Sequence, residues 1–121
     1  MKPVFDTNIL IDNLNGIQPA KAELDRFPQA RISIVTWIEV MVGARGKEDE
    51  RRVRKFLDGF ETIPLDESVA ALSVQLRRDF RLRLPDAIIW ASARSRDSLL
   101  ITRDQRDYPA NEPDIRIPYT L

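Results

Sequence analysis

The sequence predicts a single three-layer α/β domain over residues 1–121, with a mainly parallel central sheet flanked by helices. Three observations predict it. Short apolar, β-branched runs alternate with segments whose apolar residues recur at helical spacing. The helix expected from Asp86 to Ser95 is apolar almost all round, which places it among neighbours in the interior. The runs that read as strands end abruptly in polar residues, as strands do when helices carry the chain back across a sheet.

Val4-Phe5 reads as a short strand that stops at Asp6, and Thr7-Asn8 opens a helical turn through Ile9, Leu10 and Ile11. Residues 17–27 place Ile17, Ala20, Leu24 and Phe27 at helical spacing. Ile32-Ser-Ile-Val35 is the second strand. Thr36-Trp-Ile-Glu39 has the form of a capping box, opening a helix that runs to about Gly43 or Gly46. Residues 48–58 put Val53, Phe56, Leu57 and Phe60 on one face. Glu48 with Arg52, and Glu50 with Arg54, are expected to pair on the other. Glu61-Thr-Ile63 is a candidate short strand. Asp66 then caps a helix with Val69, Leu72 and Leu76 inward. Pro85 suits the first position of the next helix. Leu99-Leu-Ile101 is a buried strand, and Ile115-Arg-Ile117, among prolines, is an expected edge strand.

Composition narrows the chemistry. There are no cysteines and no histidines. That removes disulfides, thiolate sites, imidazole bases and Ser-His-Asp triads. Catalysis must rest on carboxylates, hydroxyls, amides, lysine, arginine or a hard cation. Nineteen acids balance nineteen bases, fifteen of them arginine, so net charge points to no partner. No apolar run approaches the ~20 residues of a membrane span. The start, Met-Lys-Pro-Val-Phe-Asp, lacks the apolar stretch of a secretory signal. A soluble, cytoplasmic protein with no membrane association is expected.

Asp6, Glu39 and Asp104 lie at or just past predicted strand ends, and Asp86 stands in the first turn of the buried helix. Ligands of open α/β sheets bind outside the carboxyl ends of the strands. The fold would therefore turn all four acids toward one rim, with Asp107 one turn beyond Asp104 as a possible fifth. Each acid alone also suits a capping role. Capping does not explain a shared rim. Two carboxylates ~4 Å apart repel by about 4 kcal/mol at an effective dielectric of 20, so a cluster needs a cation to stay ionised. All-oxygen ligands suit Mg²⁺ or Mn²⁺. Such an ion can activate water and stabilise the departing oxygen, the requirements of phosphodiester hydrolysis.

The motifs Phe5-Asp-Thr-Asn-Ile-Leu-Ile11, Ser33-Ile-Val-Thr-Trp-Ile-Glu39 with Gly43, Leu84-Pro-Asp-Ala-Ile-Ile-Trp-Ala91 and Ile101-Thr-Arg-Asp-Gln-Arg-Asp-Tyr108 span the chain in order. Together they resemble PIN-domain ribonucleases, most closely the VapC-type toxins of toxin–antitoxin pairs. The resemblance implies a PIN-like fold and RNA cleavage dependent on Mg²⁺ or Mn²⁺, with one or two ions. It implies ligation by Asp6, Glu39, Asp86 and Asp104, with Asp107 as the alternative in the last motif. Thr7, Asn8 and Thr102 match polar positions that support such a site. Trp90 replaces a residue that is usually small, and is expected to pack on a neighbouring element, with narrowing of the site as the alternative. The resemblance also implies a homodimer, and an antitoxin that blocks the acidic groove, often with an arginine. Arg77, Arg78, Arg81 and Arg83, just before Asp86, are candidates for RNA phosphates or else a solvated helix end. Arg51, Arg52, Arg54 and Lys55 read as a solvated face.

Other readings fit less well. A haloacid-dehalogenase-like phosphotransferase needs an acid two residues after Asp6, where Asn8 stands, and a late lysine, whereas no lysine follows Lys55. A receiver-type signalling domain lacks its acidic pair and its lysine. A PIN-like module without activity, serving only to bind a partner, is separated by an RNA-cleavage assay.

Overall fold

The computed structural model describes residues 1–109 and 111–121. Among them, five strands form one parallel sheet: β1 (Val4–Phe5), β2 (Arg31–Ser33), β3 (Glu61–Ile63), β4 (Leu100–Ile101) and β5 (Ile115–Arg116). Six helices accompany them: α1 (Thr7–Leu14), α2 (Gln18–Arg26), α3 (Ile34–Val42), α4 (Gly46–Leu57), α5 (Glu67–Phe80) and α6 (Leu84–Ser95). The strand order is β3-β2-β1-β4-β5. The chain thus winds outward from β1 to β3, then crosses back to place β4 on the other side of β1. That reversal opens a crevice at the carboxyl ends of β1 and β4, the usual ligand position in such sheets.

Strand alternation makes the three layers. Val4 and Leu100 point into a core shared with Leu76, Ala87, Ile89, Trp90 and Ala91 of α5 and α6. Phe5 and Ile101 point the opposite way, into a core with Ile9 and Leu10 of α1, Ala20 of α2, Val40 of α3, and Val53 and Leu57 of α4. The α6 helix is buried at Ala87, Ile89, Trp90, Ala91, Ser92 and Ala93, as its all-round apolar sequence predicts. Trp90 is fully enclosed. It packs against Phe80 at 5.0 Å and Tyr108 at 6.2 Å, so it fills the core as expected of a large residue on that helix.

Three expectations are corrected. The second strand ends at Ser33, not Val35, and Ser33 rather than Thr36 is the N-cap of α3, accepting the Val35 N–H at 3.1 Å. Ile34 and Val35 favour strands in isolation, but Val35 packs against the α5–α6 core from within the helix, and tertiary packing prevails. Pro85 takes the second helical position, because α6 begins at Leu84. Arg52 pairs with Asp49 at 2.8 Å rather than with Glu48, and Arg54 lies over the Trp37 ring at 5.4 Å rather than against Glu50. Asp49 also accepts the Arg45 N–H at 2.9 Å. That backbone bond, followed by the Arg52 guanidinium, holds its carboxyl below the ordinary range. The exposed positions of Arg51, Arg52, Arg54 and Lys55 agree with a solvated face.

Arg81 ends α5 in the left-handed conformation, with φ 56° and ψ 38°. A side chain with a Cβ is strained there by roughly 1–2 kcal/mol, and glycine is not. Arg81→Gly should therefore raise stability by about 1 kcal/mol, seen as a melting temperature roughly 4 °C higher. An unchanged or lower melting temperature would contradict this assignment of strain.

Candidate active site

Asp6 sits where β1 ends and α1 begins, and it is buried. One carboxylate oxygen, Oδ1, accepts the Thr7 N–H at 2.8 Å, which caps the helix. The other, Oδ2, accepts the Thr102 hydroxyl at 2.8 Å and the Asn8 side-chain amide at 3.4 Å. Asn8 also donates to the Thr102 hydroxyl at 3.1 Å and accepts the Arg103 N–H at 3.3 Å. The first turn of α1 is thereby tied to the end of β4, across the crevice.

From Asp6 the hydrogen bonds run both ways along the rim. On one side the Thr7 hydroxyl contacts the Thr36 hydroxyl at 3.0 Å and donates to Glu39 Oε1 at 2.7 Å. On the other, the Asp104 N–H donates to the Thr102 hydroxyl at 3.1 Å. The Asp104 Oδ1 accepts the N–H groups of Arg106 at 2.8 Å and Asp107 at 3.1 Å. Arg83 then bridges two acids, reaching Asp86 at 3.2 Å and Asp107 at 3.3 Å. The polar chain from Glu39 to Asp86 joins α3, α1, the β4–β5 loop and α6.

The charges of these acids act on one another. Burial pushes the Asp6 carboxyl up to about 6; the Thr102 and Thr7 bonds oppose this, and the charges of Asp86 and Glu39 add to it. Burial also raises Asp86, against the pull of Arg83 and with a further push from Asp104 and Glu39. Burial pushes Asp104 upward too, but hydrogen bonds from the Asp107 carboxyl and the Arg106 and Asp107 N–H groups outweigh it and hold Asp104 low. Asp107 is raised, first by its hydrogen bond to Asp104 and then by burial. The Tyr108 phenol is shifted too. Burial, then the charges of Asp6 and Asp86, push it well above its ordinary range.

The four predicted acids and Asp107 therefore share a rim, and Thr7, Asn8 and Thr102 bond within it. They do not form a finished ligand set. Among the described residues, no three carboxylates converge closely enough to hold a metal ion. Arg83 holds Asp86 and Asp107, while Thr7 holds Glu39. Of the predicted basic run, Arg83 reaches the rim; Arg77, Arg78 and Arg81 are exposed around the C-terminal end of α5. A groove of about 440 Å³ borders Asp104, lined by Arg103, Gln105, Arg106, Thr120 and Leu121. Sequence reasoning gave no role to Arg106, although it lies inside a quoted motif. It also missed Asp12, a buried acid that pairs with Arg103 and accepts the Tyr119 hydroxyl at 2.8 Å.

A three-layer α/β domain that gathers acids at a parallel sheet's switch point defines a class of sites suited to hard cations and phosphates. The PIN domain profile matches residues 4–110, and the chain belongs to the PIN domain family. Among solved structures, a toxin–antitoxin complex from Klebsiella pneumoniae contains a chain 44% identical to this one. The match has a TM-score of 0.94 and covers 99% of this chain and 100% of that one. A DNA-bound VapBC complex from Salmonella typhimurium matches at 22% identity and TM-score 0.76, covering 96% of each chain. VapBC from Rickettsia felis, bound to a DNA fragment from their promoter, matches at 20% and 0.74, covering 86% of this chain and 89% of that one. The two matches near 20% speak for the fold. A search of curated proteins gives no match. Among the described residues, no helix is long and apolar enough to cross a membrane.

Proposed function

We propose that this protein is a metal-dependent endoribonuclease, the VapC-type toxin of a type II toxin–antitoxin pair, acting in the cytoplasm. The observation that carries the reading is the unbroken polar chain linking Glu39, Asp6, Asp104, Asp107 and Asp86 along one rim. Family membership and the 44% identical chain from a toxin–antitoxin complex support it.

The donor chemistry fits a hard cation. The acids offer only oxygen, and burial plus mutual repulsion raise Asp6 and Asp86, a penalty that positive charge relieves. Asp6, Glu39, Asp86 and Asp104 would hold one or two Mg²⁺ or Mn²⁺ ions. Asp104 is favoured over Asp107 because its N–H shares the Thr102 hydroxyl with Asp6, whereas the Asp107 carboxylate is engaged by Arg83. When bound, the ion supplies an acidified water and shields charge building on phosphorus. Thr7, Asn8 and Thr102 fix the carboxylate orientations. Arg83, at 74% side-chain exposure, is free to exchange Asp107 for a substrate phosphate. Arg106 in the neighbouring groove, and Arg77, Arg78 and Arg81 farther away, would steer RNA.

The same rim would accept an antitoxin arginine, since a guanidinium fork bonds two oxygens at once and Arg83 already occupies such a geometry. A homodimer is part of the proposal.

The test is cleavage of a mixed RNA pool with excess chelator, and again after adding Mg²⁺ or Mn²⁺. Cleavage restored by the cation alone supports the reading. RNA left intact under every condition would leave a binding module without activity.

A further inference from the structure

Two side chains of α1 reach the same residue beyond β4. Asn8 and Asp12 stand four positions apart and therefore share one face of the helix. Asn8 accepts the Arg103 backbone N–H at 3.3 Å. Asp12 accepts the Arg103 guanidinium through Nε and, at 3.2 Å, through a second nitrogen. Arg103 is thus fixed at both its main chain and its tip. The Tyr119 hydroxyl donates at 2.8 Å to the Asp12 oxygen that Nε also takes, which brings the C-terminal segment to the pair.

The residues on either side of Arg103 belong to the rim. Thr102 is fully buried, donates to Asp6 and accepts the Asp104 N–H. Asp104 bonds to Thr102, Arg106 and Asp107, all within its own stretch of chain. The grip of α1 on Arg103 ties that stretch to the helix that Asp6 caps. An ion pair is a poor choice here for stability alone. The Asp12 side chain is 6% exposed, and well-packed apolar residues of similar volume often replace a buried pair at no cost. What a guanidinium fork on a carboxylate adds is direction, because two parallel bonds admit one geometry.

We propose that Asp12 and Arg103 are positioning residues of this site, a clamp that holds Thr102 and Asp104 in register with Asp6 for the cation. The inference rests on the cation-dependent reading above and deepens it. Neither residue touches cation, substrate or reacting water; both act through the two neighbours of Arg103.

The test separates position from stability. Asp12→Leu with Arg103→Met removes the clamp and leaves no buried charge unpaired. Arg116→Met with Glu23→Leu is the control, because it removes a second buried pair that bonds neither Arg103 nor Asp104. Mn²⁺ affinity is measured by calorimetry on the parent and both double variants, with cation-free melting temperatures alongside. We expect the clamp variant to melt near the parent and to bind Mn²⁺ about tenfold more weakly, while the control stays within about twofold of the parent. Clamp-variant affinity within about twofold of the parent would overturn the positioning role and leave the cation site standing. So would an equal loss in the control. If the clamp variant does not fold, Asp12→Asn is read by the same limits; it keeps an acceptor for Tyr119 and removes the charge that holds the guanidinium. A parent that binds no Mn²⁺ would overturn the cation reading and this one with it.

Discussion

Asp6→Asn should abolish RNA cleavage, by a factor of a thousand or more on the scale of lost catalytic charge, while making the cation-free protein more stable. The stability half follows from linkage. The Asp6 carboxyl titrates at about 6 in the fold and near 3.9 in an unfolded chain. Between those values the folded state holds the extra proton, so stability falls as pH rises from about 4 to 6. Above 6 the deficit stays at its full value, roughly 3 kcal/mol. Asparagine removes the charge and still caps α1 by accepting the Thr7 N–H. It gives up some bonding at Thr102, whose hydroxyl already accepts from Asn8 and Asp104. The net gain should be about 1–2 kcal/mol at pH 7.5, shrinking toward zero by pH 4. Chemical denaturation at three pH values measures it. A variant inactive because it is less stable at pH 7.5 would count against Asp6 as a member of the reacting site.

Arg103→Met should be strongly destabilising. Arg103 grips Asp12 through two nitrogens, and the Asp12 side chain is only 6% exposed. Without that partner, a buried carboxylate keeps a single bond, from Tyr119. Breaking a buried pair on one side costs about 3–5 kcal/mol. Because Arg103 itself is one-third exposed, we expect the lower figure, a melting temperature down by roughly 12 °C. Methionine keeps the backbone N–H that holds Asn8, so cleavage at temperatures where the variant remains folded should fall only as far as the Arg103–Asp12 pair positions the neighbouring Asp104. Adding Asp12→Leu to Arg103→Met should recover most of the stability, since it removes the stranded charge. If Arg103→Met alone loses less than 1 kcal/mol, the pair is not holding this corner of the fold.

Much of this architecture can be read along the chain, because short apolar strands and amphipathic helices carry their periodicity locally. Asp66 caps α5 as its position before Val69 and Leu72 predicts, and β5 lies at the sheet edge where its flanking prolines put it. Boundaries were harder to read. Ser33 ends a strand and starts a helix at once, which a capping pattern at Thr36 obscures. The rim was legible because strand ends are. Its present spacing was not, since it depends on Arg83 bridging Asp86 and Asp107, the latter 24 positions away. The pairs Arg103–Asp12 and Arg116–Glu23 join residues 91 and 93 positions apart. No local pattern marks them, although both bury a carboxylate on a helix that otherwise looks ordinary.

The central place of β1 has a consequence for how the molecule comes into being. Its neighbour β4 lies almost a hundred residues downstream, at Leu100 and Ile101. During synthesis the first strand must wait, one edge unpaired, until the ribosome has released that distant segment. Contacts of such long sequence separation form late in folding. A growing polypeptide therefore lacks the assembled rim until Thr102 and Asp104 have emerged, so the nuclease activity proposed above would be absent while the chain is being made.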